Sequence, residues 1–415
     1  MGIALKLIGS IVVSSIVLKS PLWGLNILII AIPFLPNEST LILTGIVVFS
    51  FIIKTIITKD TEFVSDPLNL PIASFAFVQI ITTLISVSFL LSLQNLFVSL
   101  ISVALYFTIV NTIKTKEELD KAIKIFIITA FIMSCYGIFQ YFTLGTTSKS
   151  WVDLELNPDL KTRVVGTFGN PNVFAEYLEH ILPVSIALLF VYRKLMNKFI
   201  AFILAATMFT CLLLTASRGA WLGFAAGMLL FFVLKLFKYI PFFIAGGTLA
   251  IPLAPKVVLQ RISTIGNIQD TSNEYRIFIW EGAINMIKDF WITGVGYGYW
   301  AFRNTFYEYG IRGAKAWHSH NMYLEIMAEM GIFGILTFAW VVLSLFIHGV
   351  RFLIKTKDKY LSYVSAGLLA GLLSIMVHGI AEHILYMPKS VILFWMFSAF
   401  ISSAGIIDSK ELQTE

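Results

Sequence analysis

The chain has 415 residues, of which 58% are hydrophobic and only 13% charged, with a mean hydropathy of +0.84 and a formal net charge of +6. A soluble globular chain is nearer half apolar and a quarter charged, so a soluble fold is excluded. The apolar surplus lies in continuous blocks of roughly 17–25 residues, the length of a membrane-crossing helix, and not in the alternating pattern of a barrel strand. The fold class expected is therefore all-α: a polytopic membrane protein of about twelve transmembrane helices, with residues 1–415 as a single integral membrane domain.

In chain order the blocks fall at 3–18, 21–36, 40–58, 67–92, 94–113, 122–144, 173–192, 198–216, 219–237, 239–257, 321–350, 360–380 and 386–407. Pro21, Pro36, Pro67, Pro241 and Pro388 mark boundaries, because proline cannot continue a helix. The first block is short and flanked by Lys6 and Lys19, which suits a half-span or an interfacial segment. It has no convincing small-residue cleavage site, so no cleavable signal peptide is expected. Cys135 and Cys211 lie within apolar blocks and read as small hydrophobes.

Two polar stretches interrupt the blocks, residues 145–172 and the long segment 258–320. Alternating the crossings puts more than half of the 30 Lys and Arg, including Lys54, Lys114, Lys116, Arg193, Lys194, Lys355 and Lys357, in short loops on one side. Short lysine-rich loops mark the cytoplasmic side. Residues 145–172, the Ser217-Arg218-Gly219 turn, the large loop 258–320 and the Glu382-His383 turn are then expected to face outside.

The candidate functional residues gather on that outer side. Arg163 precedes Gly166-Thr167-Phe168-Gly169-Asn170-Pro171-Asn172, in which Asn172 is the expected N-cap of a membrane helix and its N-terminus an anion site. Arg218 sits in a tight turn between apolar blocks, where a guanidinium is an anion clamp or snorkels to headgroups. Residues 274–290 predict an amphipathic helix with Ile277, Trp280, Ile284 and Ile287 on its apolar face. Arg276 falls in its expected first turn, where the dipole disfavours a cation unless an anion binds. Gly294, Gly296 and Gly298 predict a flexible turn; with no preceding strand and no following helix pattern, they do not read as a nucleotide site.

His318 and His320 precede the block that opens at Asn321. A His-x-His pair can ligate metal, but no spaced Cys or acidic residue completes a shell in the local sequence. A general base suits histidine better, since its ordinary pKa lies near neutrality. Glu382 and His383 share the outer side and can line the same cavity, but a plain loop is the reading preferred for them.

Taken in order, these stretches resemble the O-antigen ligase family and the related O-antigen polymerases, from about residue 120 to 390. The residues that carry the resemblance are Arg163 to Asn172, Ser217-Arg218-Gly219, Arg276-x3-Trp280, Gly294-x-Gly296, and His320-Asn321 followed after nine residues by Gly331-x2-Gly334. The resemblance implies a GT-C-type glycosyltransferase in the bacterial cytoplasmic (inner) membrane, with its active site facing the periplasm. Its donor would be an undecaprenyl diphosphate-linked glycan, and its acceptor a hydroxyl of lipid A core, a growing glycan, a protein side chain or a cell-wall polymer. Arg218 and Arg276, with Arg163, would bind the diphosphate; His320 would activate the acceptor; Asn172, Asn321, His318, Glu382 and His383 would support them. No cofactor, no metal and no nucleic-acid partner is expected; membrane lipid is. The competing class is a transporter of the same lipid-linked sugar, for which mid-membrane ionisable groups and internal repeats would be expected. The sequence shows neither clearly.

Overall fold

The computed structural model of the chain describes residues 14–15, 17–58, 63–143, 162–250, 252, 256–263 and 271–414. Residues 3–13 and 16 of the predicted first block, and residues 145–161 of the first polar stretch, lie outside the described residues. The described elements are helical: α1 (Pro21–Ala31), α2 (Asn37–Thr58), α3 (Asn69–Leu84), α4 (Phe89–Thr112), α5 (Lys116–Thr143), α6 (Pro171–Val191), α7 (Leu195–Leu214) and α8 (Arg218–Lys235). They continue with α9 (Ile240–Ala250), α10 (Lys256–Ser263), α11 (Thr271–Phe290), α12 (Tyr299–Tyr309), α13 (Met322–Lys355), α14 (Lys359–His378) and α15 (Pro388–Thr414). Among the described residues, nine of these are long and apolar enough to cross a membrane, and α1 and α3 are shorter apolar helices. The chain is thus an all-α polytopic membrane protein.

Helix α14 runs through the centre, and its small residues explain why. In lipid there is no hydrophobic drive between helices, so close backbone approach through small residues holds them together. On α8, a Cβ at Gly223 would lie 2.4 Å from Ser374 O and one at Gly227 2.3 Å from Ala370 O, both on α14. On the other flank, a Cβ at Gly371 would lie 2.4 Å from His180 O of α6. Gly227→Ala is therefore expected to lower stability by about 1–3 kcal/mol, the range for overpacking a tight contact. Thermal unfolding in detergent measures it.

Two boundaries differ from the sequence expectation. The predicted 67–92 block breaks at residues 85–88, because serines there satisfy the turn: Ser86 Oγ bonds Ser92 Oγ at 2.6 Å and accepts Ser88 N–H at 3.0 Å. The 321–350 block breaks at Gly331, whose φ of 61° and ψ of −160° are non-helical. Residues 332–355 still measure about 36 Å at 1.5 Å per residue, enough for a crossing.

The described residues of the long polar segment, 256–263 and 271–321, form more than one amphipathic helix in a loop. A small core of Ile279, Ala283, Met286, Val295, Ala301, Phe302, Phe306, Ala314 and Ala328 joins α11, α12 and the start of α13. The buried face of α11 is Ile279, Gly282, Ala283 and Met286, whereas Ile284 is exposed. The periodicity is helical as expected, but its phase is shifted, because Gly282 admits the Phe306 ring and the Tyr309 carbonyl, each 2.8 Å from where its Cβ would be.

Candidate functional site

The site begins with the stretch that carries Arg163. Gln140 of α5 clamps Gly166 from both sides, accepting its N–H at 2.9 Å and donating to its carbonyl at 2.8 Å. Phe168 stacks on Phe174 of α6 with centroids 5.5 Å apart. The N-cap of α6 is Asn170, which accepts Asn172 N–H at 2.8 Å, with Pro171 as the first helical residue. The expected cap at Asn172 is thus corrected by two residues: proline's fixed φ suits the first helical position, which sets the cap just before it. The correction frees the Asn172 side chain. Its Oδ1 accepts from Arg163 Nη2 at 2.9 Å and its Nδ2 donates to Glu382 Oε2 at 2.8 Å.

Arg163 is buried and also donates through Nε to Thr215 O at 2.8 Å, three residues before Arg218. Burial, with the guanidiniums of Arg261, Arg276 and Arg218 nearby, draws its pKa down to about 9. Arg218 opens α8, with Nη2 3.2 Å from Asn273 Oδ1 of α11. Arg276 places Nη2 3.7 Å from Glu382 Oε2. Helix α11 is already formed at Thr271, so Arg276 stands beyond the first turn and the expected dipole conflict there does not arise. Arg276 and Trp280 are one turn apart, which puts them on one face; Trp280 Nε1 donates to Ser319 O at 3.0 Å, tying α11 to the histidine stretch.

Glu382 joins the two halves. His320 Nδ1 lies 2.8 Å from Glu382 Oε1, and His318 Nδ1 is 4.0 Å from the same oxygen. Burial pushes the Glu382 carboxyl up, yet the charge and hydrogen bond of His320, with His318 and Arg276, hold it well below the usual carboxylate range. An ionised carboxylate can only accept, so His320 Nδ1 donates to it, and Nε2 is the ring nitrogen that Glu382 does not engage. His318 Nδ1 accepts the His320 backbone N–H at 3.2 Å. Burial and the neighbouring His320 pull His318 down to about 4, so it is neutral at pH 7. His320 holds a φ of 52°, a left-handed conformation uncommon outside glycine, of the kind that clusters at working sites.

The structure therefore brings together Arg163, Arg218, Arg276, Asn172, His318, His320, Glu382 and His383. Asn321 does something else: its Oδ1 accepts Tyr323 N–H and Leu324 N–H at 3.0 Å each, capping α13. The sequence reading missed Arg261, a buried fourth guanidinium of the cluster, on the short helix α10. It also missed Glu179 and His378, buried on α6 and α14 and 3.2 Å apart. A Cβ at Gly219, beside Arg218, would lie 2.5 Å from the His378 ring, so this pair directly underlies the clamp.

Three local expectations change. His318, His320 and Glu382 each offer a ligand atom within 4.8 Å of the others, so Glu382, distant in sequence, supplies the acidic ligand that the local sequence lacked. These three residues could hold a metal ion, although Arg276 beside Glu382 repels a second cation there. The glycine turn is not a flexible one. Gly294, Gly296 and Gly298 are buried at positive φ, and a Cβ at each would lie 2.2 Å from Glu329 O, 2.1 Å from Ser86 Oγ and 2.6 Å from Asn95 Nδ2. A helix, α12, does follow it. Third, Glu382 is the centre of the site and not a plain loop residue.

A cavity of about 950 Å³ adjoins this centre, lined among others by Tyr299, Trp300, Glu329, His383 and Tyr386. Leu90, Leu93 and Phe97 at its wall are exposed on the surface of α4. No curated protein matches the chain significantly. Residues 203–339, which hold Arg218, Arg276, the glycine turn, His320 and Gly331, match the family model described as O-antigen ligase, and the chain carries an O-antigen ligase family domain.

Proposed function

We propose that the protein transfers a glycan from undecaprenyl diphosphate to an acceptor hydroxyl on the outer face of the bacterial cytoplasmic membrane. The observation that carries this reading is the pairing of a guanidinium cluster with an oriented histidine through one carboxylate, Glu382. Such a cluster suits a lipid diphosphate, since guanidinium forks match phosphate oxygens. The exposed apolar wall of the cavity offers a path from the bilayer for a lipid-linked substrate.

In the reaction, the acceptor oxygen bonds the anomeric carbon while the bond from that carbon to the phosphate oxygen breaks. The lipid diphosphate leaves with the electron pair, and Arg218 and Arg276 stabilise the charge that develops on it. His320 Nε2 takes the hydroxyl proton, and Glu382 stabilises the imidazolium that forms. Arg163, buried and bonded to Asn172 and Thr215, holds this frame and adds to its positive potential. No metal is needed for bond breaking in this scheme.

Arg218→Ala and Arg276→Ala are each expected to reduce transfer from purified undecaprenyl diphosphate glycan by about 10²-fold or more, the range for losing one preorganised charge stabiliser. Thermal midpoints should stay near wild type; normal turnover in either variant would remove the clamp. Lipid A core, a growing glycan, a protein side chain and a cell-wall polymer all present the hydroxyl that this chemistry requires.

A second reading, a transporter of the same lipid-linked sugar, gains one observation. Glu176 bonds Ser390 at 2.6 Å and Glu179 pairs with His378, all within membrane helices. However, Glu176 and Glu179 lie only about 8–12 Å along α6 from its start, at 1.5 Å per residue. They extend the site inward and fall short of mid-membrane. A glycosidic product in the purified assay decides for transfer; lipid-linked sugar movement without product decides for transport.

A further inference from the structure

Beneath the histidine stretch lies a second set of ionisable groups that the transfer scheme does not use. Glu325 and Glu329 stand one turn apart on α13, 0% and 3% exposed. His383, 6% exposed, meets them from the turn before α15, and one ligand atom of each residue lies within 4.8 Å of the others. Each carboxylate has one oxygen fixed by a backbone donor: Glu325 Oε2 accepts Ser319 N–H at 2.5 Å and Glu329 Oε2 accepts Gly298 N–H at 2.9 Å. The other oxygen of each, Oε1, and His383 Nδ1 are buried with no hydrogen-bond partner among the described residues.

The two carboxyls can satisfy each other only by sharing a proton between them, and His383 Nδ1 is left without a partner among the described residues, against the rule that buried polar groups are satisfied. Two carboxylates at i and i+4 also repel each other, and no lysine or arginine of the described residues ion-pairs with either. We propose that Glu325, Glu329 and His383 form a divalent cation site of the zinc class, separate from the His320–Glu382 centre. The two carboxylates neutralise the ion's charge, and the imidazole completes a three-ligand set of the oxygen and nitrogen type that Zn²⁺ accepts, with a fourth position open to the cavity. Ligand atoms about 3.3 Å apart are needed for tetrahedral bonds near 2.0–2.1 Å, so the side chains close inward on binding. The backbone bonds from Ser319 and Gly298 act as the outer shell that orients the carboxylates. The bound ion would fasten three segments together: the histidine stretch, the glycine turn and the Glu382-His383 turn.

The test is metal binding by the full-length chain in detergent. After metal stripping, Zn²⁺ titration by calorimetry and Co²⁺ uptake by visible absorption are expected to show one ion per chain, with a raised thermal midpoint. Glu329→Gln and His383→Asn should each lose that ion, while His320→Ala, which breaks the other possible metal set, should retain it. Two conservative variants are used so that misfolding of one leaves the other informative. No uptake by the wild type would mean that the carboxylates share a proton instead, and would overturn the site. Uptake lost in His320→Ala but kept in Glu329→Gln would assign the ion to His318, His320 and Glu382, and would overturn it equally.

Discussion

His320→Ala is expected to cut glycan transfer by about 10²–10⁴-fold, the contribution of a positioned general base. The size follows from the geometry. Glu382 fixes Nδ1 of His320 at 2.8 Å, so Nε2 is the ring nitrogen left to act on the acceptor. Glu382 is itself held by Asn172 and faced by Arg276, so the base and the anion clamp share one support. Removing the imidazole leaves Glu382 its Asn172 and Arg276 partners, so the fold should survive. His318→Ala should be milder, because its Nδ1 only accepts the His320 backbone N–H and it stands 4.0 Å from Glu382. The measurement is initial rate with purified lipid diphosphate glycan, alongside thermal unfolding. Full activity of His320→Ala in that assay would remove the general-base role.

Gly331→Ala is expected to remove both activity and the docking of residues 291–296. Its backbone, at φ 61° and ψ −160°, lies in a region that is essentially glycine-only, with a strain of about 1–3 kcal/mol for other residues. A Cβ there would also sit 2.2 Å from Ile292 O. The break at Gly331 frees backbone groups that the glycine turn uses: Ile332 N–H donates to Trp291 O at 2.8 Å, Val295 N–H to Ala328 O at 2.9 Å and Gly296 N–H to Glu329 O at 3.0 Å. Losing these would release the turn, and with it α12, whose Tyr299 and Trp300 pack against Trp317 beside His318. Gly246→Ala is the control, since a Cβ there meets nothing within 4 Å. It should leave the thermal midpoint and the transfer rate unchanged. Equal behaviour of the two variants would refute the docking role of Gly331.

The nine residues between His320-Asn321 and Gly331 thereby acquire a physical meaning. Asn321 caps the helix, and after nine intervening residues Gly331 breaks it at the level where the glycine turn docks. The intervening turns carry Glu325 and Glu329, which the sequence showed only as part of an apolar block. Their burial depends on α12 and the glycine turn covering them, and no periodicity within residues 321–350 reveals that cover.

Composition and block length settled the membrane class and the helical fold, because hydrocarbon leaves a backbone few ways to satisfy itself. Charge asymmetry and short motifs selected Arg163, Arg218, Arg276 and His320, since ionisable groups near lipid are expensive and stand out against apolar surroundings. Tertiary structure decided the connections. It moved the cap of α6 from Asn172 to Asn170 and gave Asn172 a bridging role. It raised Glu382 from a loop residue to the group that joins clamp and base, across 62 residues to His320 and 210 to Asn172. It also placed Glu179 against His378 and Arg261 near Arg163. A sequence displays which residues are costly to bury; only the packed helices determine which partner, far along the chain, makes each burial tolerable.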